Sequence, residues 1–118
     1  MKYLLLCCHD EKKVDTMTKR EYDAVMAETV AYCEALKKSG HLLGVEALDS
    51  IKTAMSVKVR NGKLSVTDGP FAETKEQLGG FFLIEARDMD EACEVAARFP
   101  PARVGTIEVR PVQELKHS

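Results

Sequence analysis

The polar residues that could do chemistry in this sequence are few and lie far apart along the chain. His9 stands beside Asp10 directly after an apolar run, and a histidine next to a carboxylate can act as a general base or contact a ligand. Neighbours at a strand end need not point together, so a solvated loop histidine is the alternative. Glu46 lies among apolar residues, where a half-buried carboxylate could hold a proton for transfer, unless it sits on the exposed face of a strand.

A second group of candidates surrounds the turn at residues 68–71. Asp68 could cap this turn by accepting backbone N–H bonds. We expect Phe71 to be a buried anchor for a long loop that runs on to residues 79–80, and Glu73 and Lys75 to be polar side chains of that loop. Loops of this length in a compact domain are uncommon and often functional, although this one could equally wrap a dimer partner. The predicted ligand-binding residues are therefore His9, Glu46, Asp68, Phe71, Glu73 and Lys75.

The remaining reactive residues predict neither a metal site nor a cofactor. The three histidines, at positions 9, 41 and 117, have no ligand spacing, and the four cysteines contain no CxxC pair. A glycine-rich phosphate loop, a nucleophile elbow and a dinucleotide fingerprint are all absent from the sequence. We expect free, mostly buried thiols, with Cys33 and Cys93 on apolar helix faces, in a reducing cytoplasm.

Length and composition indicate one globular domain over residues 1–113, followed by a short C-terminal tail over 114–118. The chain has 118 residues, of which 45% are hydrophobic and 31% charged, with a formal net charge of −2. Interspersed charges of both signs disfavour nucleic-acid binding. The apolar run at the N-terminus is too short for a signal peptide, and no segment is long enough to cross a membrane. We therefore expect a cytoplasmic protein.

Hydrophobic periodicity predicts the elements that position these residues. An apolar run predicts a first strand over 3–8, followed by a polar connection over 9–17. The capping box of Thr18 and Glu21 opens an amphipathic helix that ends at Gly40. The further predictions are a strand over 41–48, a hairpin over 53–67 turning at Asn61-Gly62, a strand over 81–86, a helix capped by Asp88 and Glu91 and ended by Pro100-Pro101, and a strand over 106–112. This order predicts an α+β, ferredoxin-like βαββαβ fold with an inserted β-hairpin.

Two of the predicted strands are apolar on both faces. In the ferredoxin-like arrangement the helices cover one face of the sheet, so the other face of a monomer should be polar. Residues 3–8 and 81–84 are instead apolar at every position. We predict a homodimer that pairs these open faces, and the alternative is that the hairpin folds back over them.

The segment 68–81, which reads DGPFAETKEQLGGF, resembles the signature of the DGPF group of YCII-related proteins. The flanking segments 3–7, 39–43, 46–48 and 107–111 agree with it, so the resemblance covers essentially the whole chain. It implies a dimeric α/β barrel of ferredoxin-like topology. Some YCII-related proteins carry a His–Asp pair, the histidine in the first helix and the aspartate just after the second. This chain has no histidine in its first helix and reads Phe99-Pro100-Pro101-Ala102 after the second, so a dyad mechanism does not carry over.

Two functions remain open at this point. The first is a protein that binds or transforms a small molecule in a pocket near the dimer interface, and the sequence leaves open whether it is an enzyme. The second is a non-catalytic regulatory or interaction module, since the resemblance includes members associated with extracytoplasmic-function sigma factors. A concave pocket joining at least two of His9, Glu46, Asp68 and Glu73 would favour the first.

Overall fold

The structure is a computed structural model that describes residues 1–115. Its elements in chain order are β1 Lys2–His9, α1 Glu11–Asp15, α2 Lys19–Lys38, β2 Leu42–Ala47, a short 3-10 helix Ile51–Thr53, β3 Met55–Arg60, β4 Lys63–Asp68, β5 Gln77–Glu85, α3 Met89–Ala97, α4 Pro101–Val104 and β6 Thr106–Pro111. Of the predicted C-terminal tail, residues 116–118 lie outside the described residues.

Four strands form the main sheet in the order β2-β5-β1-β6, with every neighbouring pair antiparallel. Helix α2 joins β1 to β2, and α3 joins β5 to β6. This mixed α+β arrangement is compatible with the ferredoxin-like fold. Strands β3 and β4 pair only with each other among the described residues, as a separate two-stranded sheet inserted between β2 and β5.

The core lies between one face of the main sheet and the two longer helices. Alternate residues of β1 and β5 are buried there, including Leu5 and Ile84, which are both 0% exposed. Helix α3 contributes one buried side, which consists of Ala92, Val95 and Ala96, and Phe99 after the helix also lies in the core. The opposite members of the two strands are half-buried, because alternate residues of a strand point to opposite faces.

Helix α2 begins and ends where its sequence signals predict. The Thr18 hydroxyl accepts the backbone N–H of Glu21, and the Glu21 carboxylate accepts the N–H of Thr18. At the other end Gly40 has a φ of +81°, and the N–H groups of Gly40 and His41 donate to the carbonyls of Lys37 and Leu36. This is the Schellman arrangement, which satisfies carbonyl groups that the last turn leaves without partners.

Removing the Thr18 hydroxyl should destabilise the fold modestly. Thr18→Ala leaves the Glu21 N–H without its capping acceptor, so we expect a loss of about 1 kcal/mol in the free energy of unfolding. Thr18→Ser keeps the hydroxyl and serves as the control. Urea unfolding of the three proteins measures the effect, and equal midpoints for Thr18→Ala and wild type would contradict it.

The β3–β4 pair stands away from the core. Asn61 and Gly62 have φ values of +53° and +75°, which matches the type I′ turn that their sequence favours. Val57 faces Val66 and Val59 faces Leu64 across the pair, and all four are at least half exposed. The hairpin therefore displays an apolar face that the described residues do not cover.

Several boundaries differ from their predictions. The polar connection after β1 contains α1, whose N-cap is Asp10, with its carboxylate accepting the N–H of Lys12. Strand β5 begins at Gln77 rather than at 81, so Gly79-Gly80 belongs to the strand and the loop is shorter than expected. Pro100-Pro101 was predicted to end the helical segment. Pro101 is instead the first residue of α4, because proline suits the first turn of a helix. Cys93 is exposed on α3, not on its apolar side.

Candidate functional site

A cavity of about 560 Å³ opens between α2 and the ends of β1, β2 and β5, with α1 and α4 at its edge. Its walls are mostly aliphatic and aromatic. The apolar stripe of α2 forms one wall, where Tyr22, Met26 and Val30 are 46%, 42% and 56% exposed. Val45 and Phe82 of the sheet lie among the residues of the facing wall. A volume of this size is typical of small-molecule sites.

The cavity exists because α2 packs closely on the sheet at its C-terminal part. Within Lys19–Lys38, Thr29 and Leu36 are the buried residues. The Tyr32 hydroxyl donates to the carbonyl of Val95 at 2.8 Å, which fixes α2 to α3. Glu28 forms an ion pair with Arg103 of α4. The rest of the apolar stripe, including Tyr22, Met26 and Val30, is not buried and remains open to the cavity.

His9 lies at the edge of this cavity in a position made available by two glycines. A Cβ atom at Gly79 would overlap Cε1 of His9 and would come within 2.8 Å of Nδ1. A Cβ atom at Gly105 would lie 3.1 Å from Cβ of His9 and would overlap the carbonyl oxygen of Cys8. No hydrogen bond to the His9 ring is formed by the described residues 1–115. The imidazole is therefore held by shape, while its polar atoms remain available.

Glu11 connects three segments around the cavity, a role that its sequence position did not suggest. Its carboxylate accepts the hydroxyl proton of Ser50 at 3.0 Å and the backbone N–H of Ile51 at 2.9 Å. Its own N–H donates to the side-chain oxygen of Gln77 at 3.0 Å. Glu11 thus joins α1, the 3-10 helix and the start of β5. Glu11 was predicted to lie in a polar connection, and α1 was not predicted, so nothing in the sequence indicated these contacts.

Truncating Glu11 should loosen the cavity edge. In Glu11→Ala the Ile51 N–H loses a charged acceptor, so we expect its hydrogen exchange to accelerate roughly tenfold. Asp15→Ala, at the other end of α1, removes a carboxylate without touching Ile51 and is the matched control. Amide exchange followed by NMR measures both. An Ile51 exchange rate equal to that of the control would show that the contact does not order this segment.

The thiols at the cavity are not activated nucleophiles. Burial, and to a smaller extent the neighbouring Cys8 and Cys33, raises the pKa of Cys7 to about 12. Burial also raises the pKa of Cys8 and of Cys33. A thiol is reactive as the thiolate, so a raised pKa keeps these groups protonated and weakly nucleophilic near neutral pH. They line the cavity as small, polarizable, mostly apolar groups.

The family profile described as the YCII-related domain matches residues 1–116 of the chain. The chain belongs to the YCII-related family. An uncharacterised protein of Rhizobium meliloti (strain 1021) is 38% identical over 114 residues, which cover 95% of this chain and 92% of that relative. The match to the family profile spans every strand and helix described above.

The six predicted site residues of this YCII-related protein do not lie together. His9 and Glu46 both line the cavity, Glu46 with an exposed side chain. Asp68 ends β4 opposite Met55 of the hairpin, away from the cavity. Glu73 and Lys75 are exposed on the loop between β4 and β5 and do not line it.

Phe71 and Asp10 differ most from their expected roles in this YCII-related chain. Phe71 is 85% exposed rather than a buried anchor, and it borders a small depression on β3. The loop is held by its own polar groups instead, since Gln77 Nε2 donates to the carbonyl of Thr74 at 2.7 Å. Asp10 caps α1 and makes no hydrogen bond to His9 among residues 1–115. Of the two interpretations of His9, the pair with Asp10 is therefore not formed among these residues.

Among the described residues, no three histidine, cysteine, aspartate or glutamate side chains are grouped so that they could hold a metal ion. No helix within the described part of the chain combines the length and the apolar character that a bilayer span requires.

Proposed function

We propose that this YCII-related protein binds a small, predominantly apolar molecule in the cavity beside α2. The observation that carries the proposal is the exposed apolar stripe of α2. Tyr22, Met26 and Val30 face a volume of about 560 Å³ instead of packing on the sheet. Burying a side chain of this type contributes roughly 1.5–3 kcal/mol to stability, and an occupant of the cavity recovers part of that contribution. Whether the bound molecule is also transformed depends on His9, whose imidazole is the titratable group best placed to move a proton.

A charge placed on the wall should prevent this binding. In Met26→Lys an ammonium group enters an apolar surface, so we expect the affinity for the neutral fluorophore aminoanthracene to fall at least roughly tenfold. Met89→Lys makes the same substitution on α3, outside the cavity, and is the control. Fluorescence titration measures both variants. Equal affinities in the two would exclude this cavity as the site.

The loop between β4 and β5 stays a candidate part of the site. Glu73→Ala and Lys75→Ala should leave stability nearly unchanged, because both side chains are exposed. If the loop takes part in binding, as its resemblance to the DGPF signature suggests, the same titration will show weaker binding in these variants. Unchanged binding would restrict the site to the cavity walls.

We further propose that two copies pair as a dimeric α/β barrel through the open face of the main sheet. The support is the apolar character of the face opposite the buried core, where Leu4, Leu6 and Leu83 are half-buried. The exposed hairpin gives a second reason. The radius of gyration is 16.5 Å, whereas a compact chain of this length has roughly 13 Å. An isolated two-stranded hairpin is marginal in water, and a second copy provides the surface that stabilises it.

The alternative function is a non-catalytic interaction module. The observation that favours it is the same apolar hairpin, which another protein could cover instead of a second copy. A sigma factor is the partner that the resemblance suggests, and this association stays a prediction. Size-exclusion chromatography with light scattering discriminates the two, because a monomeric wild type would leave the hairpin open for a different protein.

A further inference from the structure

The charged groups around the cavity are mostly of one sign. The carboxylates of Glu11, Asp15, Glu34 and Glu46 line it, and Lys37 is the one ammonium among the described lining residues. Lys37 lies 3.9 Å from Glu34, so its charge is largely offset. The Glu11 carboxylate accepts its hydrogen bonds from the neutral Ser50 hydroxyl and Ile51 N–H, so neither of these partners brings a positive charge. An anionic ligand would enter against this field.

Two further carboxylates lie near the His9 end of the cavity, although one of them, Glu108, is 4.0 Å from Arg110. Cys8 lies next to His9 in the cavity wall, and its pKa is raised by burial and then by the carboxylates of Glu108 and Glu76. These two glutamates come from β6 and from the loop before β5, independently of the four that line the cavity. A carboxylate or phosphate placed beside the His9 ring would therefore meet like charge from several elements.

A cationic ligand is disfavoured for a different reason. The carboxylates at the edge would attract a cation, but the walls between α2 and the sheet, which would enclose it, are apolar. A charge taken from water into such walls without a close partner loses its hydration. Only an uncharged ligand avoids both the repulsion by the carboxylates and the loss of hydration in the apolar walls.

We propose that the ligand is an uncharged molecule, apolar along most of its length, with one hydroxyl-type hydrogen-bonding group that meets the imidazole of His9. This class rests on the proposed binding function of the cavity. A hydroxyl both donates and accepts, so it suits either neutral tautomer of the ring. Gly79 is the positioning residue for the ring, because a side chain there would overlap Cε1 of the imidazole, and Gly105 leaves room for the backbone at Cys8 and His9.

Displacement of bound aminoanthracene by probes of equal chain length tests the charge. At mildly alkaline pH, decanol should displace the fluorophore at a concentration at least roughly tenfold below that of decanoate and of decylamine. If decanoate or decylamine displaced the fluorophore at the same concentration as decanol, the uncharged ligand class would be overturned, while the binding function would remain intact. Failure of aminoanthracene and of all probes to bind would instead overturn the proposed function, and the class with it.

Comparison of decanol with decyl methyl ether, which cannot donate a hydrogen bond, tests the role of His9. Wild type should prefer decanol roughly fivefold, the usual worth of one hydrogen bond. The preference should disappear in His9→Leu and return in His9→Gln, whose amide can still accept. Gly79→Ala should reduce it too, whereas Gly44→Ala should not, since a Cβ there makes only an ordinary contact of 3.9 Å with Leu83. An unchanged preference in His9→Leu would overturn the assignment of this residue.

Discussion

If two copies pair as proposed, Leu4→Lys should convert that dimer into a folded monomer. Leu4 is half-buried on the sheet face opposite the buried core, so a lysine there is tolerated by the single chain. In the dimer the same ammonium would be buried without a partner in each copy, at a cost of about 3–5 kcal/mol. Size-exclusion chromatography with light scattering should show the mass fall by half, with the circular dichroism spectrum unchanged.

Leu5→Lys and Leu115→Lys are the two controls for this result, one on the buried face of the sheet and one on the exposed surface. Leu5 is 0% exposed on the helix-covered face, so a lysine there should unfold the chain rather than dissociate it. Leu115 is 75% exposed, and its replacement should leave a folded dimer. A wild-type protein that is already monomeric at micromolar concentration would remove the basis of the dimer proposal.

Phe99→Ala should cost about 3–5 kcal/mol in the free energy of unfolding. The ring is 0% exposed and stacks on Phe82 with centroids 3.9 Å apart. It also meets Tyr32 edge-on at a centroid distance of 4.6 Å. Truncation leaves a void where β5, α2 and the segment after α3 meet, and close-packed neighbours fill such voids only in part. Denaturant unfolding measures the loss.

Phe71→Ala is the matched control for this substitution. Its ring is 85% exposed in the single chain, so we expect a change within about 0.5 kcal/mol. The two variants are best compared in the monomeric Leu4→Lys background, where burial within one chain alone decides the cost. Similar losses for Phe71→Ala and Phe99→Ala would mean that the loop before β5 packs on the core.

Elements with local signals were predictable. Thr18 and Glu21 satisfy each other within four residues, and Asn61-Gly62 adopts positive φ without help from the rest of the chain. The buried side of α3 follows from helical spacing alone. The family was predictable as well, because the segment 68–81 is long and unusual and the YCII-related profile covers it.

The site was less predictable, because its members are distant in sequence. Nothing around His9 indicates that Gly79 and Gly105 make room for this residue, or that Glu11 holds Ser50 and Ile51. The loop from 68 was expected to reach Gly79-Gly80, whereas both glycines lie within β5, which begins at Gln77. In the sheet, Gly80 is needed where β2 approaches, because a Cβ there would come within 2.7 Å of the Glu46 carbonyl oxygen.

The sequence by itself determined the two long helices α2 and α3, the turn at Asn61-Gly62 and the apolar strands, because those features depend on contacts a few residues apart. Only the tertiary structure decided which apolar faces meet. The stripe of α2 has the spacing of a core face, yet Val30 opens to a cavity, while Tyr32 and Glu28 hold the helix against α3 and α4. Periodicity records that a face is apolar, but the distance between elements, which long-range packing sets, decides whether that face becomes core or cavity wall.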